Sequence, residues 1–183
     1  VSFPKQAKHH AEQVLDLVHG DLCELITPTT LSGNRYFLML MDDMSRYMWL
    51  NLLASKHQVP ASIKRFQATV EVETGRKLNV LCTNRDGEFT SVEFGEYCAE
   101  RGIQRQLTAP YSPQQNGVVE RRNQTMIAMA RSIRKAKGLP EMFWGEVVST
   151  VVFIVNRALT RSLDGMTPYE AWHGKRPAVH FLR

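Results

Sequence analysis

The 183-residue sequence predicts an α/β fold, a mixed five-stranded sheet flanked by helices, on three observations. Apolar, β-prone runs dominate the first third of the chain and then alternate with segments of helical period. Glycines at 75, 102 and 138 fall where each helical period stops. The composition, 43% hydrophobic and 22% charged, is that of a globular chain able to bury one core.

The elements follow in order. Residues 14–18 (VLDLV) read as a first strand. Apolar runs at 36–41 and 47–53 flank the polar Asp42, Asp43, Ser45 and Arg46, the pattern of an antiparallel hairpin. Val59, Ile63, Phe66 and Val70 recur at intervals of four, three and four, one helical face, closed by Gly75. Strand character returns at 78–83. Thr90 with Glu93 then makes a capping box for a helix carrying Phe94, Tyr97 and Cys98 to Gly102. A fifth strand covers 103–107. The stretch TAPYSPQQNG, 108–117, holds two prolines and a glycine and reads as a loop. Beyond it, VVERRNQTMIAMARSIRKAK reads as a polar, basic helix stopped by Gly138 and Pro140. MFWGEVVSTVVFIVNRAL is rich in β-branched residues and its period settles nothing; its length favours a buried helix. TPYE, from Thr167, combines a capping hydroxyl, a first-turn proline and a third-position Glu, the start of a last helix. The expected organisation is a linker at 1–13, a catalytic-type core at 14–160 and a helical extension at 161–183.

Composition narrows the function classes. Cys23, Cys82 and Cys98 stand alone in apolar segments, which predicts reduced core thiols rather than a disulfide frame. Residues 1–13 are polar and basic, unlike a secretory leader, and His9 and His10 read as a solvated linker. Apolar runs such as 151–155 are too short to span a bilayer, so no membrane partner is expected. Against 18 acids stand 23 Lys and Arg, a net charge of +5 that suits a polyanion partner without requiring one. That charge concentrates in the basic helix, where Arg121, Arg122, Arg131, Arg134, Lys135 and Lys137 oppose the single acid Glu120.

Acids at strand ends and loop exits are Asp21, the Asp42 and Asp43 pair, Asp86, Glu88 and Glu120; singly, each is most often a solvated carboxylate. In order along the chain, however, LVHGDLC, GNRYFLMLMDDMSRYMWL, LCTNRDGEF, TAPYSPQQNGVVERRNQT, MFWGEVVSTVVFIVNR and TPYEAWHGKRP resemble the catalytic core of integrases from copia-type retrotransposons, within the retroviral integrase superfamily. The resemblance runs over 14–183, and SPQQNGVVERRN is its most specific segment.

That resemblance implies a ribonuclease H-like fold and a triad of two aspartates and a glutamate. The first aspartate falls on Asp21 and the glutamate on Glu120. Counting back from Glu120 across the family's thirty-five intervening residues lands on Asn84, so an amide stands in the second aspartate's seat and Asp86 in that of a glycine. In the family's reaction two Mg²⁺ or Mn²⁺ ions, roughly 3.5–4 Å apart, activate the attacking oxygen and stabilise the leaving oxygen at phosphorus. Asp21 and Glu120 are the implied metal ligands, since a hard cation takes carboxylate oxygens. An asparagine forfeits a unit charge worth about 4 kcal/mol at 4 Å in an effective dielectric of 20. Asp86, two residues on, is a candidate for compensation.

The family further implies approach of the basic helix and its preceding loop to DNA. Gln114, Gln115, Asn116, Asn123 and Gln124 become candidate contacts, and Arg121, Arg122, Arg131 and Lys135 candidate phosphate partners. The DNA implied is the element's ends and the target, the assembly a homo-oligomer, and the place of action the nucleus or an intracellular virus-like particle. The function expected is DNA binding and metal-dependent integration, 3′-end processing and strand transfer, impaired at Asn84. The alternative is a DNA-binding or self-associating module without catalysis. His19, two residues before Asp21, and the Asp42, Asp43, Ser45, Arg46 turn are expected to be structural.

Overall fold

The computed structural model describes residues 11–24, 27–107 and 113–180; the side chains of 24, 113–118 and 120 lie outside the description. Five strands form one sheet in the order β3-β2-β1-β4-β5. They are β1 (Leu17–Glu24), β2 (Tyr36–Asp42), β3 (Met48–Leu53), β4 (Val80–Thr83) and β5 (Gln104–Leu107). The first three pair antiparallel, whereas β4 and β5 run parallel to β1 and to each other. The sheet is therefore mixed, as the sequence predicts.

Burial on both faces explains why β2 reads as an unbroken apolar run. Leu38 and Leu40 face one core, which is closed by α1 (Val59–Thr74), α3 (Val92–Glu100) and Trp172 of α6 (Pro168–His173). Phe37, Met39 and Met41 face the other, beneath α4 (Pro113–Ala136) and α5 (Trp144–Asn156). A single helical turn, α2 (Gly87–Thr90), follows β4.

Several element limits differ from expectation. Residues 14–16 form a turn, with Leu15 at φ 68°, and the first strand starts only at Leu17, so Asp21 lies inside a strand and not after one. Ser91, not Thr90, caps α3, accepting the Phe94 N–H at 3.3 Å; Thr90 is spent on ending α2. The stretch expected as a loop to Gly117 turns helical at Pro113, because proline is pre-set for a first helical turn, and α4 runs on through Gly117. Residues 108–112 lie outside the described set. Thr167 caps α6 through the Glu170 N–H, as TPYE predicts.

The undecided apolar segment is helical. By length and composition Glu141–Leu163 could cross a membrane, with mean hydropathy 1.4. It is broken into a 3-10 turn (Glu141–Phe143), the 13-residue α5 and a second 3-10 turn (Arg161–Leu163). At 1.5 Å per residue α5 is about 20 Å long, short of the ~30 Å apolar thickness of a bilayer. Its Trp144, Val147, Val148, Val151 and Val152 fill the second core. Asn156 fixes its far end, donating to the Met48 carbonyl at 2.8 Å and accepting the Met48 N–H at 3.0 Å.

Candidate active site and nucleic-acid face

Asp21 sits midway along β1, the central strand. Leu17, Val18 and His19 pair in register with Val80, Leu81 and Cys82. The paired register stops at His19 and Cys82; counted on by two, it leads from Asp21 to Asn84, the residue following β4. The approach is close at Gly20, where an added Cβ would lie 3.1 Å from Leu40 Cδ2 and 3.2 Å from Thr83 Cγ2. A side chain at residue 20 would press on the tips of Leu40 and Thr83, which would have to give by a few tenths of an ångström.

α4 lies over this face. Val119, Asn123, Met126 and Ala130 are its buried stripe, spaced four, three and four. Asn123, 3% exposed, donates its amide to Asp21 Oδ2 at 2.5 Å, while its Oδ1 has no partner among the described residues. Glu120 stands one helical turn before Asn123, so its backbone belongs to the turn of α4 over Asp21; its side chain lies outside the described residues. Cys23 also leans on Asp21, Sγ to Oδ2 3.8 Å, and burial followed by the Asp21 charge pushes its thiol far up.

Asn84 is engaged two residues along. Its amide donates to Asp86 Oδ2 at 2.8 Å, and its Oδ1 accepts the Asp86 N–H at 3.2 Å. The Asp86 carboxylate is thus folded back on the amide that holds the seat, and the amide oxygen is already committed to a backbone N–H. A divalent cation takes anionic oxygens of the kind Asp21 supplies. It does not fit Asn84, which offers a neutral, hydrogen-bonded oxygen. Among the described residues no group of three or more His, Cys, Asp or Glu is gathered so as to hold a metal.

The neighbouring charges are buried and paired. Asp43 Oδ1 contacts His19 Nε2 at 3.2 Å and accepts from Arg46 Nη1 at 2.8 Å, and its Oδ2 accepts the Ala11 N–H at 3.0 Å. Burial works to raise Asp43, but His19, the Ala11 N–H and Arg46 outweigh it and hold the carboxyl down at about 2. Asp42, fully buried, binds Ser45 and the Leu15 N–H, and its burial prevails over those bonds and raises it. The hairpin turn and His19 are paired with one another and far more buried than a surface turn.

The candidate DNA contacts divide. Arg121, Gln124, Arg131 and Lys135 are exposed at spacings of three, seven and four, one outward stripe of α4. Asn123 departs from expectation: it turns inward to Asp21, because its helical phase matches Val119 and Met126. Arg122 is partly buried and donates to Thr160 Oγ1 at 3.4 Å rather than projecting to solvent. Gln114, Gln115 and Asn116 have side chains outside the described set. Motif reading named Asn123 but not its inward orientation, and the signal that could have shown it was the phase of the apolar residues around it.

Comparison with known proteins gives this geometry a lineage. The chain is 41% identical over all 183 residues to the retrovirus-related Pol polyprotein from transposon TNT 1-94 of Nicotiana tabacum, covering 14% of that protein. The chain is a homologue of copia-type retrotransposon Pol polyproteins. A second Pol homologue, from transposon RE2 of Arabidopsis thaliana, is 27% identical over 154 residues, 84% of this chain and 10% of its own length. This Pol homologue thus spans 10 to 14% of the polyproteins it matches. No family model matches it. A solved structure of the simian T-cell lymphotropic virus intasome in complex with PP2A regulatory subunit B56 gamma aligns with TM-score 0.69 and 18% identity, over 88% of this chain and 55% of that one. The fold is therefore the ribonuclease H-like fold of a retroviral integrase.

Proposed function

We propose that this Pol homologue is an integrase catalytic-core domain that binds DNA along α4 and whose polynucleotidyl transfer is impaired at Asn84. The observation that carries the proposal is the bond from Asn123 on α4 to Asp21 on β1, which brings the turn of Glu120 over the carboxylate beside the end of β4. Asp21 and Glu120 would hold Mg²⁺ or Mn²⁺ there. Asn123 keeps the Asp21 carboxylate oriented, and the Arg121, Gln124, Arg131 and Lys135 stripe provides phosphate contacts that fix position without reading sequence. Element-end and target DNA are the substrates proposed, with a homo-oligomer acting on them in the nucleus or a virus-like particle.

The Asn84 seat loses about 4 kcal/mol of charge interaction, which at about 1.4 kcal/mol per decade is roughly a thousandfold in rate. Strand transfer by the chain, by Asn84→Asp and by Asp86→Asn, assayed with DNA binding alongside, tests this. Asn84→Asp is expected to exceed the parent by about that factor with Mg²⁺ or Mn²⁺, while all three bind DNA equally. Equal metal-dependent rates in parent and revertant would refute the role given to Asn84, and a parent rate abolished by Asp86→Asn would assign the seat to Asp86. DNA binding with no transfer from any form supports the second reading, a non-catalytic binding module, which the mutual hydrogen bonding of Asn84 and Asp86 favours. Absence of DNA binding would sink both.

A further inference from the structure

The end of α4 and the start of α5 leave an open cleft of about 500 Å³ between them. Its walls are apolar: Ile127 and Ala130 from α4, Leu139 from the connection, and Trp144, Val147 and Val148 from α5. The Trp144 indole N–H is spent on the Pro28 carbonyl at 3.0 Å, so the ring offers the cleft only aromatic carbon.

The mouth carries charge of one dominant sign. Arg131, Arg134 and Lys135 line it, and among the lining residues Glu141 alone opposes them. Arg134 spans the connection, with Nη1 donating to the Leu139 carbonyl at 3.4 Å and Nη2 3.5 Å from Glu141 Oε1. One cation thus matches Glu141, and two positive charges remain on the exposed Arg131 and Lys135, four residues apart on one helical face. Their aliphatic stems carry the apolar wall out to the rim. The Arg134 and Lys135 carbonyls, which would repel an anion at the end of α4, accept the Leu139 N–H at 3.0 Å and the Gly138 N–H at 3.3 Å.

A concave site of this volume, with apolar walls and a few charged groups at its edge, has the usual form of a small-molecule site. Apolar walls reward a hydrocarbon body in proportion to the area covered, and a cationic rim selects an anionic head. DNA supplies phosphate but no apolar body for the walls. A second copy meeting this face about a two-fold axis would bring Arg131 and Lys135 of both copies together, like charge against like. We infer that the α4–α5 cleft binds an organic anion whose aromatic or aliphatic body lies on Trp144 and the two valines while its carboxylate or sulfonate meets Arg131 and Lys135. The site is independent of the proposed function, since neither metal nor DNA enters its test.

The probes are 8-anilino-1-naphthalenesulfonate and N-phenyl-1-naphthylamine, one body with and without an anionic head. Both are titrated into the full chain by fluorescence, with stoichiometry from calorimetry and folding checked by thermal melting. The parent is expected to bind one equivalent of the sulfonate, and the neutral amine about tenfold more weakly. Arg131→Glu combined with Lys135→Glu should abolish that preference and leave the amine's affinity unchanged, whereas Ile127→Gln should weaken both probes together. Should Ile127→Gln fail to fold, the rim pair, whose side chains are exposed, still decides the outcome. Non-saturable binding in the parent, equal affinity for the two probes, or a sulfonate preference that survives in the rim pair would overturn the inference. Self-association lost in Ile127→Gln, with no saturable sulfonate binding to the parent, would give the cleft to a second copy. A Glu- and Leu-rich peptide that binds where the sulfonate does not would give it to a protein partner, and either result overturns the small-anion assignment.

Discussion

At the scale of single residues, what decides the chemistry is which oxygen faces which donor. Motif order and the spacing that the family resemblance implies single out Asp21 and Asn84, and the strands that carry the one and precede the other pair in parallel. Asn123 was legible only through helical phase: an amide in a basic helix reads as a nucleic-acid contact until Val119, Met126 and Ala130 are seen to share its face. The buried Asp43 was hidden for another reason, since two acids between apolar runs look like a solvated turn and nothing local reveals His19 arriving from β1. Its pairing has a measurable consequence. With the folded-state value held at about 2, below the ordinary 3.8, Asp43 contributes stability that is fully present above pH 3.8 and is lost as pH falls through 2. The shift corresponds to about 2 kcal/mol. Asp42, raised by burial first and in smaller part by the Asp43 charge, acts in the opposite sense, and Asp43→Asn relieves that smaller part. Urea midpoints between pH 6 and 2 should converge for the parent and Asp43→Asn as the pH drops, the parent losing its advantage below about pH 4. Parallel curves over that range would mean that Asp43 is not held low by its partners.

At the scale of elements, the alternation of strands and helices was readable because apolar period and glycine stops are local properties of the chain. Their exact limits were not, since Ser91 outcompetes Thr90 as a cap only once α2 has consumed the threonine, and Pro113 opens a helix that the same residue seemed to forbid. Segment 142–159 shows where local reading runs out: valine-rich sequence fits strand or helix, and what selects helix is the second face of the sheet, which needs an apolar cover about as long as α5. Asn156 then acts as a substitute strand, meeting both backbone groups of Met48. Asn156→Ala leaves a buried N–H and a buried C=O unmet, at about 1–3 kcal/mol each. Chemical denaturation should register a loss of roughly 2–6 kcal/mol, against a change within about 0.5 kcal/mol for Thr150→Ala on the exposed side of α5. A loss for Asn156→Ala no greater than that of Thr150→Ala would show that α5 is held by its apolar face alone.

For the molecule as a whole, a net charge of +5 says little, whereas its distribution says much. Three cations of the α4 stripe, Arg121, Arg131 and Lys135, point to solvent along one line, while Arg46 and Arg134 are bound to acids of their own. A DNA backbone running along α4 would meet that line, and every phosphate neutralised releases counterions, so log affinity falls linearly with log salt by about 0.9 per contact. Replacing all three by glutamine should therefore reduce the slope by about 2.7, and should do so equally for duplexes of unrelated sequence, because phosphate contacts carry no sequence information. Chelation separates this term from the carboxylate site: with Asn84 unable to contribute charge, EDTA is expected to leave both affinity and slope unchanged. The triple variant keeps every buried residue of α4, so its melting temperature serves as the control for folding. A slope unaltered by the triple substitution would move the nucleic-acid surface off α4, and a slope that collapses on chelation would return the metal to the centre of binding.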